Sequence, residues 1–165
     1  MSYIPSLSEL RVEKARADAI LTLSNGETLG GCFFVSKASA RTSGPERVGE
    51  LLNLERGFFP FEVHEQTGAR TALLNRSHVL IVTLAEDEAR RDAGYEMASE
   101  RRVALLLSNG HTIEGIVRIY QPETRARVSD WTRDGGPFRY LENGGTTLLV
   151  NVAHVIEVRE LTAEE

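Results

Sequence analysis

The chain is expected to be mainly β, folded as two tandem small β-barrels that are each preceded by a short helix. Three observations lead there. Blocks of sequence recur in the same order in the two halves, the signature of an internal duplication. An Asn-Gly pair lies between alternating apolar runs in each half, the strongest short-range signal for a β-hairpin. Finally, 165 residues that are 41% hydrophobic and 26% charged make one ordinary domain or two very small ones. They exclude a wholly disordered, collagenous or membrane-spanning chain.

The duplication rests on three blocks. ILTLSNGETLGG at 20–31 faces ALLLSNGHTIEG at 104–115, so Leu23, Ser24, Asn25, Gly26, Thr28 and Gly31 recur as Leu107, Ser108, Asn109, Gly110, Thr112 and Gly115. ERVGELLN at 46–53 faces ARVSDWTR at 126–133, where Arg47, Val48 and Glu50 recur as Arg127, Val128 and Asp130. ALLNRSHVLIVTL at 72–84 faces LLVNVAHVIEVREL at 148–161, matching Leu73, Asn75, His78, Val79 and Val82 with Leu149, Asn151, His154, Val155 and Val158. Gaps fall only between blocks. The units are then 1–84, an N-terminal helix and first barrel, and 85–165, a linker helix and second barrel.

Element by element, Ser6 and Glu9 form a candidate capping box for a helix over 6–17, with Leu7, Leu10, Val12 and Ala15 on its apolar side. A hairpin turns at Asn25-Gly26, and Gly31 marks a bulge or bend in the outgoing strand. An aromatic strand over 57–63 is entered through Pro60, and a polar turn follows at 66–68. Two β-branched runs, 71–74 and 79–84, are separated by the interruption Asn-x-x-His. The stretch 84–101 reads as the second helix, with Glu86, Asp87 and Glu88 at its positive end and Arg101 and Arg102 at its negative end; Gly94 shortens or breaks it. In the second unit Val103, Leu105 and Leu107 alternate into the turn at Asn109-Gly110, and Ile113, Ile116 or Val117, and Ile119 leave it. Strands over 137–141, 146–150 and 155–158 complete the set. Four or five short strands per unit are the count of a small closed barrel.

A helix, a strand, Asn-Gly, a strand with an internal glycine, and a closing strand pair with a small polar break together resemble the Sm-like and related SH3-like small barrels. LTLSNGETLGG and LLLSNGHTIEG look like the first conserved block of Sm-like proteins. NRSHVLIV and NVAHVIEV are similar to the closing block of the bacterial RNA-chaperone branch, which has a histidine at the start of its last strand. The resemblance implies small barrels that join through their edge strands, and RNA as a partner. Sm-like RNA binders place an Asp and an Asn after the second strand; this chain has no such pair in 34–43 or 120–125. The block with Arg47, Glu50 and Asn53 resembles that of a small bacterial domain family of uncharacterised role.

Charge argues against polyanions. Nineteen Lys and Arg against 24 Asp and Glu leave a formal charge of -5, which disfavours non-specific binding to nucleic acid or a membrane surface. One cysteine, Cys32, excludes an intrachain disulfide and a cysteine-cluster metal site; a buried inert thiol is expected. Glu9, Glu13, Lys14 and Asp18 interrupt the first thirty residues where a signal peptide needs an apolar stretch, so the expected location is cytoplasmic.

Each candidate site has a functional and a structural reading. His78 and His154 would ligate a metal or phosphate if the units pack together, or each ties a ring nitrogen to a neighbouring carbonyl. Arg47 with Glu50, and Arg127 with Asp130, are spaced as ion pairs on a helical turn, or the two arginines hold an anion. Asn75 and Asn151 satisfy strand-edge backbone groups. Arg125, Arg127, Trp131, Arg133, Arg139 and Tyr140 have the composition of a stacking and phosphate-contacting surface for RNA. Glu123, Asp130, Asp134 and Glu142 between them point instead to self-pairing, or to a protein contact through Trp131. Phe58, Phe59 and Phe61 read as core or an interface patch. There is no Gly-x-Ser-x-Gly elbow, phosphate-cradling glycine loop or His-Glu-x-x-His. The expectation is a non-catalytic binding or assembly module, with no metal or cofactor, acting through edge strands on a protein partner or on itself. The alternatives are an RNA-binding Sm-like protein and a small-ligand sensor.

Overall fold

The computed structural model describes residues 14–39, 44–133 and 135–162. It is mainly β. The strands are β1 (Lys14–Leu23), β2 (Thr28–Ser36), β3 (Phe58–Glu65), β4 (Gly68–Asn75), β5 (Val79–Leu84), β6 (Ser99–Leu107), β7 (Thr112–Ile119), β8 (Phe138–Asn143), β9 (Thr146–Asn151) and β10 (Val155–Glu160). Two short helices, α1 (Val48–Leu54) and α2 (Val128–Arg133), follow β2 and β7. All strand pairs are antiparallel and form one sheet in the order β10-β6-β7-β8-β9-β5-β1-β2-β3-β4. On either side of the β9–β5 pair the order is the same: fifth strand, first, second, third, fourth.

That sheet does not close into a barrel, and two closed barrels are not what the pairing records. Closing either half requires its fourth and fifth strands to pair. Instead β9 gives its outer edge to β5 of the first half, and among the described residues β4 borders no further strand. Short 3-10 turns, Arg76–His78 and Val152–His154, carry the chain from each fourth strand to a fifth strand at the far side of the first. The Asn-x-x-His interruption is this turn: Asn75 Oδ1 accepts the Ser77 N–H at 3.0 Å and Asn151 Oδ1 accepts the Ala153 N–H at 3.1 Å.

The expected helices are not found where the structure describes the chain. Most of 6–17, including the Ser6–Glu9 box, lies outside the described residues; residues 14–17 open β1. The stretch 84–101 is two 3-10 turns, Glu88–Arg91 and Tyr95–Met97, leading into β6. Gly94, at φ 78, interrupts it, and Ser99–Leu107 is strand β6 despite its charged start, with Val103, Ala104, Leu105 and Leu107 buried. Among the described residues the α-helices are α1 and α2, and they occupy the recurring Arg-Val block.

Two glycine positions in each half have a physical reason. Gly26 and Gly110 adopt φ 91 and 87, while Asn25 and Asn109 keep negative φ and accept the N–H of Glu27 and His111 at 2.9 and 3.0 Å. The turn is therefore longer than a two-residue one. At Gly31 a Cβ would run into the Glu62 carbonyl and the Phe61 ring, and at Gly115 it would lie 2.6 Å from the Glu142 carbonyl. Strand-on-strand approach, rather than backbone freedom, demands the second glycine.

Each half has a core. Phe33 stacks on Phe59 and meets Phe61 edge-on, with Leu21, Leu52 and Val82 around them. In the second half Trp131 packs with Val103, Leu105, Val117 and Leu141. The cores interlock: Phe138 and Leu149 of the second half belong to the first core, and Ile81 of the first packs on the second. Among the described residues no helix is long and apolar enough to cross a membrane.

Candidate functional site: the seam and the open strand edges

The β5–β9 seam is where the halves meet. Ile81, Val82 and Thr83 lie opposite Val150, Leu149 and Leu148. The buried Asn151 donates from Nδ2 to the carbonyl of Val79 at 2.9 Å and of Arg76 at 3.4 Å. His154 holds the seam from the same turn, with Nε2 2.6 Å from the Ser77 carbonyl oxygen and Nδ1 2.7 Å from Ser108 Oγ. Asn75 and His78 make the same local bonds, the latter with Ser24 Oγ at 2.8 Å. Among the described residues the cross-strand partners that Asn151 and His154 find have no counterpart for Asn75 and His78, because β4 and β10 are the two ends of the sheet. Each histidine bonds the serine hydroxyl of its own half's hairpin turn, and His154 also reaches the Ser77 carbonyl in the turn that holds His78.

Burial differs sharply between seam and edges. Leu149 and Leu80 are inaccessible and Phe138 nearly so, whereas Leu73, Ile156 and Phe58 at the corresponding edge positions are 70%, 66% and 62% exposed. Phe59 and Phe61 are core; Phe58, on β3 opposite Asn75 of the end strand β4, is exposed.

A cavity of about 440 Å³ is bounded by residues of both halves: Arg47 and Asn53 of the α1 region, Arg118 of β7, Trp131 of α2, and Phe138 and Tyr140 of β8. Asn53 is the hinge of its wall, donating to the Phe138 carbonyl at 3.0 Å and accepting the Phe138 N–H at 2.8 Å. Arg47 is bonded to Glu50 at 3.2 Å and Asp92 at 2.5 Å. Burial alone would lower the Arg47 pKa, but Asp92, Tyr140 and Glu50 outweigh it and hold the guanidinium above its usual range. Tyr120 donates to Asp92 at 3.1 Å, and burial pushes the Tyr120 and Tyr140 phenols up. Glu88 accepts from the backbone N–H groups of Val48 and Gly49, and burial raises its pKa to about 7.

The second-half loop is engaged with itself. Asp130 accepts the Arg127 backbone N–H at 3.0 Å and pairs with Arg133 at 2.8 Å, so the expected Arg127–Asp130 side-chain pair is replaced by an Arg133–Asp130 pair. Arg139 donates to the carbonyls of Trp131, Gly135 and Gly136 and staples the loop. Trp131 is buried, Tyr140 half-buried, and Arg125, Arg127 and Arg133 exposed. Asp134 lies outside the described residues.

Sequence reasoning missed two groups. Arg76, buried, donates to the carbonyls of Phe58 at 2.9 Å and Leu51 at 3.0 Å and lies over the Phe59 ring; burial lowers its pKa. Its neighbours Asn75 and His78 drew attention because they recur, and Arg76, replaced by Val152 in the second half, does not. Arg118 lies 3.7 Å over the Tyr95 ring and pairs with Glu142 at 3.1 Å, and Tyr95 also donates to Glu142. No family model, curated protein or solved structure matches this chain.

Proposed function

We propose that the chain is a non-catalytic assembly module, a tandem of two Sm-like or SH3-like units that joins further chains by strand addition at its open edges. One observation carries this reading: the chain already uses that contact once, between β5 and β9. Among the described residues the corresponding strands β10 and β4 are the end strands of the same sheet, with exposed apolar side chains. Fully burying a Leu, Ile or Phe contributes about 1.5–3 kcal/mol, so Phe58, Leu73 and Ile156 supply the favourable term that offsets the entropy of association.

A second copy of the chain fits both edges at once. Transferring the seam register places Val158 of one copy opposite Leu73 of the next, with Glu157 opposite Leu74 and Arg159 opposite Ala72. Asn75 Nδ2 then meets the Val155 carbonyl and His78 the Ala153 carbonyl, as Asn151 and His154 meet their partners at the seam. The contact is head-to-tail, so it propagates to a ring or a filament.

Light scattering on the full chain is expected to give an integer multiple of 18.3 kDa. Leu73→Cys with Val158→Cys, in a Cys32→Ser background, is expected to form intermolecular disulfides under mild oxidation. A monomer at every concentration that forms no such cross-link refutes the reading.

A small-ligand reading has this cavity in its favour, since Trp131, Phe138 and Tyr140 of the second half and Arg47 and Asn53 of the first bound it. Native mass spectrometry of protein taken directly from its host would reveal a co-purified molecule. The RNA reading draws less support, because Trp131 is buried and Arg133 and Arg139 are engaged within the loop.

A further inference from the structure

The outer face of the first half brings together three unlike donor groups. Cys32 on β2 lies opposite Asp18 on β1 and opposite Glu62 on β3. His64, two residues beyond Glu62, shares its face of the strand. The Cys32 thiol, a Glu62 carboxylate oxygen and a His64 ring nitrogen lie within 4.8 Å of one another. Cys32 is inaccessible at the bottom of the cluster, the Glu62 side chain is 17% exposed, and that of His64 is 50% exposed at its mouth. His64 Nε2 is 3.2 Å from Glu62 Oε1, and Arg16 pairs with Glu62 Oε2 at 3.2 Å. Gly30 precedes Cys32 by two residues, and a Cβ there would meet nothing within 4 Å.

The second half provides a control. Ile116 and Glu142 pair across β7 and β8 as Cys32 and Glu62 pair across β2 and β3. There the glutamate is bonded to Arg118 and Tyr95, and the thiol and imidazole are replaced by Ile116 and Gly144. The recurring glutamate is thus part of the fold. The thiol and the imidazole beside it are not required by it.

We propose that Cys32, Glu62 and His64 bind one divalent cation of the zinc class. A thiolate and an imidazole select zinc or cobalt over magnesium or calcium, which take oxygen donors. Three protein ligands leave a fourth position for water or for Asp18, which faces Cys32 from the neighbouring strand. Small side-chain rotations draw the three donors together. The thiol gives up its proton to solvent on binding, and Glu62 exchanges Arg16 for the metal. The Arg16 side chain is 66% exposed and its ion pair contributes little, so that exchange is easy.

The test is a titration of the tag-free full chain with Co2+ alone. The expected result is one equivalent bound with a thiolate-to-cobalt charge-transfer absorption, displaced by added Zn2+. Cys32→Ser is expected to abolish that absorption. His64→Ala, at an exposed position where folding is not at stake, is expected to weaken binding about tenfold or more. Absence of the absorption in the unmodified chain, or cobalt affinity unchanged by His64→Ala, overturns the proposal.

Discussion

At the scale of single residues, two buried charges carry the sharpest consequences. Arg76 satisfies backbone carbonyls from α1 and from β3 while covering Phe59, so removing it strands acceptors where water does not reach. Arg76→Ala is expected to cost about 2–4 kcal/mol in urea unfolding. Glu88 is held at the first turn of α1 by the amides of Val48 and Gly49, with Arg47, Arg91 and Tyr140 facing it, and its Oε1 has no hydrogen-bond partner. Its folded pKa, about 7, lies above the ordinary 4.5, so between those values the folded chain binds more protons than the unfolded one. Its destabilisation is absent below pH 4.5 and complete above pH 7. Glu88→Gln is therefore expected to leave stability unchanged near pH 4.5 and to raise it by up to about 3 kcal/mol at pH 8. The difference between the two melting curves across pH reads this directly. Arg76 does not stand out in the sequence and Glu88 reads there only as one of three acids at the start of an expected helix, because burial is not a property of residue type and neither position recurs.

At the scale of elements, the strands were legible, while the linker helix and the two helices of the described residues were not. Alternating apolar residues around Asn-Gly place β1, β2, β6 and β7, and the Asn-x-x-His break places the turns before β5 and β10. The linker failed because acidic and basic ends are equally compatible with a helix and with exposed 3-10 turns; Gly94 decided between them. Helices α1 and α2 are too short for a periodic signal and form because Leu52 and Trp131 cover the two cores. The glycines separate cleanly by element geometry. Gly31→Ala is expected to lose more than about 2 kcal/mol, since the Glu62 backbone must move, while Gly30→Ala is expected to be neutral or slightly stabilising. Paired thermal melts of the two variants check this. At the edges, Leu73→Lys or Ile156→Lys is expected to abolish association by light scattering and to leave the circular dichroism spectrum unchanged.

For the whole molecule, the interlocked cores matter more than the division into halves. Phe138 and Leu149 enter the first core from strands of the second half. Leu149→Ala is expected to cost about 2–5 kcal/mol and to lower a single cooperative transition, monitored by Trp131 fluorescence and by far-ultraviolet dichroism, rather than to release one half. Two separate transitions would show that the seam is weaker than the cores it joins.

Residue order alone determined the strand-rich character, the hairpin turns and the recurring Asn and His positions, because these follow from local backbone preference and from comparison of one half with the other. Only the tertiary structure decided that β9 pairs with β5 and leaves β4 and β10 at the ends of an open sheet. Strand pairing joins residues far apart in the chain, and no local pattern states which of two equivalent edges a strand will choose. The same holds for the thiol, carboxylate and imidazole of the outer face: Cys32 and Glu62 are thirty positions apart in sequence and direct neighbours in register.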